Sequence, residues 1–168
     1  DVRPVAIVTD SSADLPDPIL DRHHIALVPL QVIFGDQTFK DRVELKPAEF
    51  YRRLRESRVL PTTSQPTPAD FVQAFRDART GADEVVAVLL STGLSGTYQS
   101  GQAAVKAAAL GGIHLVDSRT ASLGVGLLAL RAAELAESGW TGVEIVRELE
   151  RVRGHSGCFI TVDRFDNL

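Results

Sequence analysis

Residues 91–101, Ser-Thr-Gly-Leu-Ser-Gly-Thr-Tyr-Gln-Ser-Gly, put hydroxyls and glycines together at the mouth of a helix-like, alanine-rich segment. An apolar run, 85–90, leads directly into them. A buried strand that empties into such a loop before a helix presents backbone N–H groups with no acceptor of their own, and these attract an anion. Ser95, with the N–H groups of Gly96 and Thr97, is therefore a candidate cradle for a carboxylate or a phosphate. Each hydrogen bond to a charged acceptor would contribute roughly 1.5–3 kcal/mol, and the helix terminus about 0.3–1 kcal/mol more. The competing account is structural: Ser and Gly cap the helix and let it pack closely on the sheet.

A catalytic account of the same loop has specific requirements. Gly93-Leu94-Ser95-Gly96-Thr97 resembles the G-x-S-x-G elbow that exposes a serine nucleophile between strand and helix. Thr97 replaces the last glycine and crowds the turn, and the histidines that follow, His114 and His155, lack an evident orienting acid. A serine hydrolase using Ser95 is thus an alternative to anion binding, as is a structural α/β domain without ligand. Asp10-Ser11-Ser12 has no second carboxylate two residues on, so an Asx-turn competes with any chemical role there. Gly124-x-Gly126-x-x-Ala129 matches a dinucleotide fingerprint by letter but lies within helix-forming sequence; its glycines suit close packing or the close approach of a ligand. No P-loop motif occurs, and His23-His24 has no companion ligands at metal spacing, so neither a metal nor another cofactor is expected.

The elements that must position these residues alternate between strand and helix. Strands are expected at 5–9, 25–34, 85–90, 113–116 and 159–163, with a hairpin turn at 35–37. Helices are expected at about 14–23, from 45, from 68, at 95–109, 121–137 and 142–153. Residues 58–68 carry three prolines and a hydroxyl cluster, Thr62-Thr63-Ser64-Gln65-Pro66-Thr67-Pro68, and read as a loop whose Thr67 caps the next helix. The alternation implies an α/β fold, with a largely parallel central sheet flanked by helices. In such sheets ligands sit beyond the carboxyl ends of the strands. Asp10 and Ser11, Ser95, and Asp117 and Ser118 all fall there, so Asp10, Ser11, Asp117 and Ser118 form a wider candidate rim.

Composition limits the partners. The chain has 168 residues, 44% hydrophobic and 24% charged, with a formal charge of −4, which argues against nucleic acid or an acidic membrane surface. The single cysteine, Cys158, lies in an apolar run and reads as a buried, inert thiol; with no disulfide available, a cytoplasmic location is expected. No apolar stretch is long enough for a membrane span. The chain starts without Met and reads as a fragment of a longer protein: an α/β domain over 1–155 and, over 156–168, the start of a truncated second domain.

Four segments in order, 8–15, 62–68, 90–100 and 116–119, together resemble the DegV family. The resemblance covers nearly the whole chain and implies the N-terminal α/β domain of that family, with only the start of a second α+β domain. It implies a non-catalytic carrier of a long-chain fatty acid, one that presents the carboxylate to a separate ATP-using kinase subunit of a bacterial fatty acid kinase. It assigns the head-group hydroxyls to Thr63 with the adjoining Ser64 and to Ser95, with Gly96 as the small residue beside Ser95. A fatty acid draws most of its affinity from its tail, at about 0.8 kcal/mol for each buried CH₂.

Overall fold

The computed structural model describes residues 3–161. Four parallel strands form the central sheet: β1 (Arg3–Asp10), β2 (Ala26–Val28), β6 (Ala82–Leu89) and β7 (Ile113–Asp117), in the order β2-β1-β6-β7. Its two faces can be read from β6. Val86 and Val88 point to one core, where they meet Val5 and Ile7 of β1 and the helices α1 (Asp17–His23), α5 (Leu123–Glu137) and α6 (Gly142–Arg153). Val85, Ala87 and Leu89 point to the other, against α3 (Pro68–Arg79) and α4 (Thr97–Ala108). A strand buried on both faces has no polar alternation, which is why residues 85–90 are uniformly apolar.

The helix boundaries follow local chemistry. Thr67 and Asp70 form a reciprocal capping box at the start of α3, with Pro68 in its first turn; Thr141 and Glu144 do the same for α6. Phe71 and Phe75, one turn apart on α3, are fully buried.

A second sheet stands beside the first. Strands β3 (Gln31–Phe34), β4 (Gln37–Lys40) and β5 (Thr62–Ser64) pair antiparallel in the order β4-β3-β5. Gly35, at φ +60°, makes the tight turn between β3 and β4. Helix α2 (Pro47–Glu56) follows this hairpin, and none of its residues is buried.

Four expectations are corrected here. Residues 25–34 are two strands in two sheets, because Pro29 cannot donate to a ladder and the chain turns there. Thr62–Ser64, expected as loop, is β5: it precedes Pro66 and lies at the edge of its sheet, where β-branched threonines suit an extended backbone. Residues 159–161 are not a strand; among the described residues no strand lies alongside to satisfy their backbone, and Phe159 and Ile160 are exposed. The remainder of that expected strand, Val162 and Asp163, lies outside the described residues. Cys158, expected to be buried, is exposed beside them.

Candidate functional site

The first strand connection runs from β1 outward to β2, whereas the one after β6 runs the other way to β7. The strand order therefore reverses between β1 and β6, and the crevice beyond their carboxyl ends is the favoured place for a ligand. Asp10 spans that crevice. Its Oδ2 accepts from the Leu90 backbone N–H at 2.7 Å, and its Oδ1 accepts from the Ser12 N–H at 2.9 Å and the Ser12 hydroxyl. The side chain is fully buried, and burial pushes its carboxyl above the ordinary carboxylate range despite these bonds.

The rest of the wider rim is also occupied by the scaffold. Ser11 is buried and accepts the Leu30 N–H at 3.0 Å, holding the bend at Pro29 through which the chain leaves the parallel sheet. Ser118 is buried; its N–H donates to the Leu89 carbonyl and its hydroxyl to that of Thr120. Asp117 accepts from the Thr92 hydroxyl at 2.7 Å and from the N–H groups of Arg119 and Thr92. Partial burial raises its pKa, but these donors prevail and hold it below the ordinary value. Asp10, Ser11, Asp117 and Ser118 thus tie the strand ends to one another. Gly126 serves the same framework: a Cβ there would collide with the Ala13 carbonyl, so it is close packing of α5 that requires the glycine.

The loop before α4 is different. Ser95 is half-buried; its oxygen accepts the Thr97 N–H at 3.2 Å and lies 2.9 Å from the Thr97 hydroxyl. Thr97 is fully buried, so it supports Ser95 from beneath and does not face outward. Gly96 stands at the helix N-cap. No histidine bonds Ser95 among the described residues: His114 Nε2 lies 2.8 Å from a Glu84 oxygen, and His155 Nδ1 is 2.9 Å from the Arg151 carbonyl. The loop stands at a helix start, and among the described residues no imidazole is placed to activate Ser95 as a nucleophile.

The hydroxyls of the other loop lie on β5. Thr63 pairs with Val32 and is exposed, and Ser64 pairs with Gln31 and is half-buried. The chain then passes Gln65, whose carboxamide lies against Gly96: a Cβ built on Gly96 would be 3.2 Å from both Cδ and Nε2 of Gln65. Loops about thirty residues apart are thereby brought edge to edge. On the other side, Thr63 opens on a cavity of about 390 Å³ walled by Leu15, Pro16, Val32, Phe50 and Tyr51. Asp41 and Arg42 also reach it. The Arg42 guanidinium is held by Asp17 at 2.6 Å, and burial raises the Asp41 carboxyl. An open pocket of this size, with apolar walls and the charged groups of Asp14, Asp41 and Arg42 also in its lining, can take a small amphiphile.

Gln65 was not among the residues singled out from sequence. The available signal was its place between two hydroxyls and a proline; what was missing was its neighbour, Gly96, which only the fold supplies. Among the described residues, no three His, Cys, Asp or Glu side chains are grouped as metal ligands, and no helix is long and apolar enough to cross a membrane.

Comparison with known proteins adds a family. The model for "Uncharacterised protein, DegV family" matches residues 4–168. A DegV domain-containing protein of Deinococcus radiodurans is 42% identical over 165 residues, which are 98% of this chain and 58% of that one. Among solved structures, a Thermus thermophilus DegV family protein described for its fatty acid binding superposes with a TM-score of 0.82 at 40% identity, covering 90% of this chain and 54% of that one. The Bacillus subtilis DegV, described as a fatty acid binding protein, gives 0.83 at 35% identity, with coverage of 90% and 54%. The chain spans a little over half the length of these relatives.

Proposed function

The chain belongs to the DegV family, and on that premise we propose that it binds a long-chain fatty acid, with the carboxylate held where the Thr63–Ser64 and Ser95–Gly96 loops adjoin. The observation that carries this reading is the contact of Gln65 with Gly96, which puts the two hydroxyl-bearing loops at one join. Ser95 stands at the N-terminal end of α4, where the helix dipole favours an anion. The chamber beside Thr63 takes the first part of the tail, and the tail supplies most of the affinity, about 0.8 kcal/mol per methylene. The fatty acid binding of the Thermus and Bacillus relatives supports the ligand class.

The domain over residues 1–155 supplies the head-group loops, and residues 156–168 begin a second domain that helps to enclose the ligand. The protein acts as a carrier, not a catalyst, and offers the carboxylate to an ATP-using kinase subunit.

Extraction of the native full-length polypeptide under mild conditions should release a long-chain fatty acid identifiable by mass spectrometry. Ser95→Ala should lower its retention about tenfold, the effect of losing one hydrogen bond to a charged acceptor. A protein that neither carries nor takes up a fatty acid, with wild type and Ser95→Ala indistinguishable, refutes the reading.

A further inference from the structure

Gln65 has a fixed backbone and an exposed side chain. It follows directly on β5, and Pro66 after it is buried. A residue that precedes proline is confined to extended backbone, so the direction in which Gln65 projects is set by the chain. Its carboxamide is directed at Gly96. The distances from a Cβ built on Gly96 are nearly equal, 3.2 Å to Cδ, 3.2 Å to Nε2 and 3.5 Å to Oε1, so the amide lies broadside over the glycine. Gly96 has no positive φ to require a glycine, which leaves the room taken by the amide as the reason for the missing side chain.

The donors at this join are unequal. Ser95 has a single O–H to give and its oxygen already accepts the Thr97 N–H, whereas a primary amide carries two N–H donors. We infer that Gln65 is a specificity-determining residue of the site: its amide donates to the ligand's carboxylate, and Gly96 is the notch that lets it lie flat between the two loops. The inference rests on the fatty-acid reading above and adds to it a chemical criterion for the head group. An ionised carboxylate only accepts, so an amide donor favours it. A glutamate at the same place repels a carboxylate but accepts the proton of an alcohol.

The test uses lipid-stripped native full-length polypeptide at pH 8, with myristate and myristyl alcohol as probes displacing a fluorescent fatty acid. Gln65→Ala should weaken myristate about tenfold. Gln65→Glu, of nearly the same size, should weaken myristate at least as much and leave the alcohol within about twofold, a pattern that a purely structural role does not produce. Gly96→Ala should weaken myristate in the wild type and add nothing further in the Gln65→Ala background, the signature of a coupled pair. Myristate binding that survives both Gln65 substitutions overturns the inference, and so does an equal loss of both probes in Gln65→Glu. A wild-type protein that binds neither probe is a separate result, which overturns the fatty-acid reading and this inference with it.

Discussion

The ends of the parallel strands and the join between the two sheets carry the same kinds of residue, yet they have different duties. Asp10, Ser11 and Ser118 are buried, and each bonds to the backbone of a neighbouring strand or loop. Thr63 and Gln65 are exposed, and Ser95 is half-exposed. The strand-order reversal, where a ligand would ordinarily lie, is spanned by an aspartate instead. The proposed site lies instead toward the antiparallel sheet, where short edge strands and a proline-fixed loop leave polar groups facing out. What separates scaffold from site is whether a polar group's bonding capacity is consumed inside the protein, not which residue supplies it.

The sharpest cut through that comparison is at Asp10. Asp10→Ala removes the acceptor for Leu90 N–H and for both donors of Ser12, leaving donors without a partner in a buried place. The expected cost is about 3–5 kcal/mol of unfolding free energy, read from urea titration. Thr63→Val on the other side should move stability by no more than about 0.5 kcal/mol, as an exposed substitution does, while weakening fatty acid binding. Were the two variants to lose stability equally, the division between scaffold and site would be wrong.

A smaller effect is expected where α5 approaches the strand ends. Gly126→Ala puts a methyl group into the Ala13 carbonyl and within 3.0 Å of the Leu15 side chain. The helix must shift off the sheet, at a cost of about 1–3 kcal/mol. Gly139→Ala makes a useful contrast: nothing lies near its Cβ, but its φ of +86° is unfavourable for any other residue, so its penalty is conformational. Thermal unfolding of a Gly126→Ala protein at the wild-type midpoint would remove close packing as the reason for that glycine.

Much of this arrangement is legible in the sequence. The uniform apolar run at 85–90, the capping patterns at Thr67 and Thr141 and the glycines after α4 and α5 are local signals, and the elements they announce are present. The second sheet was legible only in part: the turn at 35–37 announces the β3–β4 hairpin, but β5 is a short edge strand whose pairing with β3 is non-local. Pro29 marked the break between β2 and β3, yet an apolar run from 25 to 34 outweighed it when read as a single strand. In the site, the hydroxyl loops could be picked out by composition, but their chemical standing could not. Asp10 ends β1 and Ser95 lies in the loop after β6, and nothing in the letters reveals that the carboxylate is consumed by a backbone N–H eighty residues away.

The subtlest consequence is a difference in pH dependence between two scaffold acids. Asp10 is buried, and burial raises its folded-state pKa above the ordinary 3.8; Asp117 is held below the same value because the Thr92 hydroxyl and two backbone N–H groups outweigh its partial burial. For Asp10 the folded state binds its proton more tightly than the unfolded state does. Its titration therefore favours folding most below the unfolded pKa, and that contribution is lost as pH rises through the folded one. For Asp117 the order reverses: the contribution is full above the unfolded pKa and is lost as pH falls through the folded value, below about 3.8. Unfolding free energies of wild type, Asp10→Asn and Asp117→Asn, measured from neutral pH into the acid limb, should accordingly separate. The wild-type advantage over Asp10→Asn should grow as pH falls toward 4, whereas the advantage over Asp117→Asn should stay level and then shrink below that point. Slopes of the same sign in both series would mean that burial does not set apart the acid between β1 and β6 from the one that ends β7.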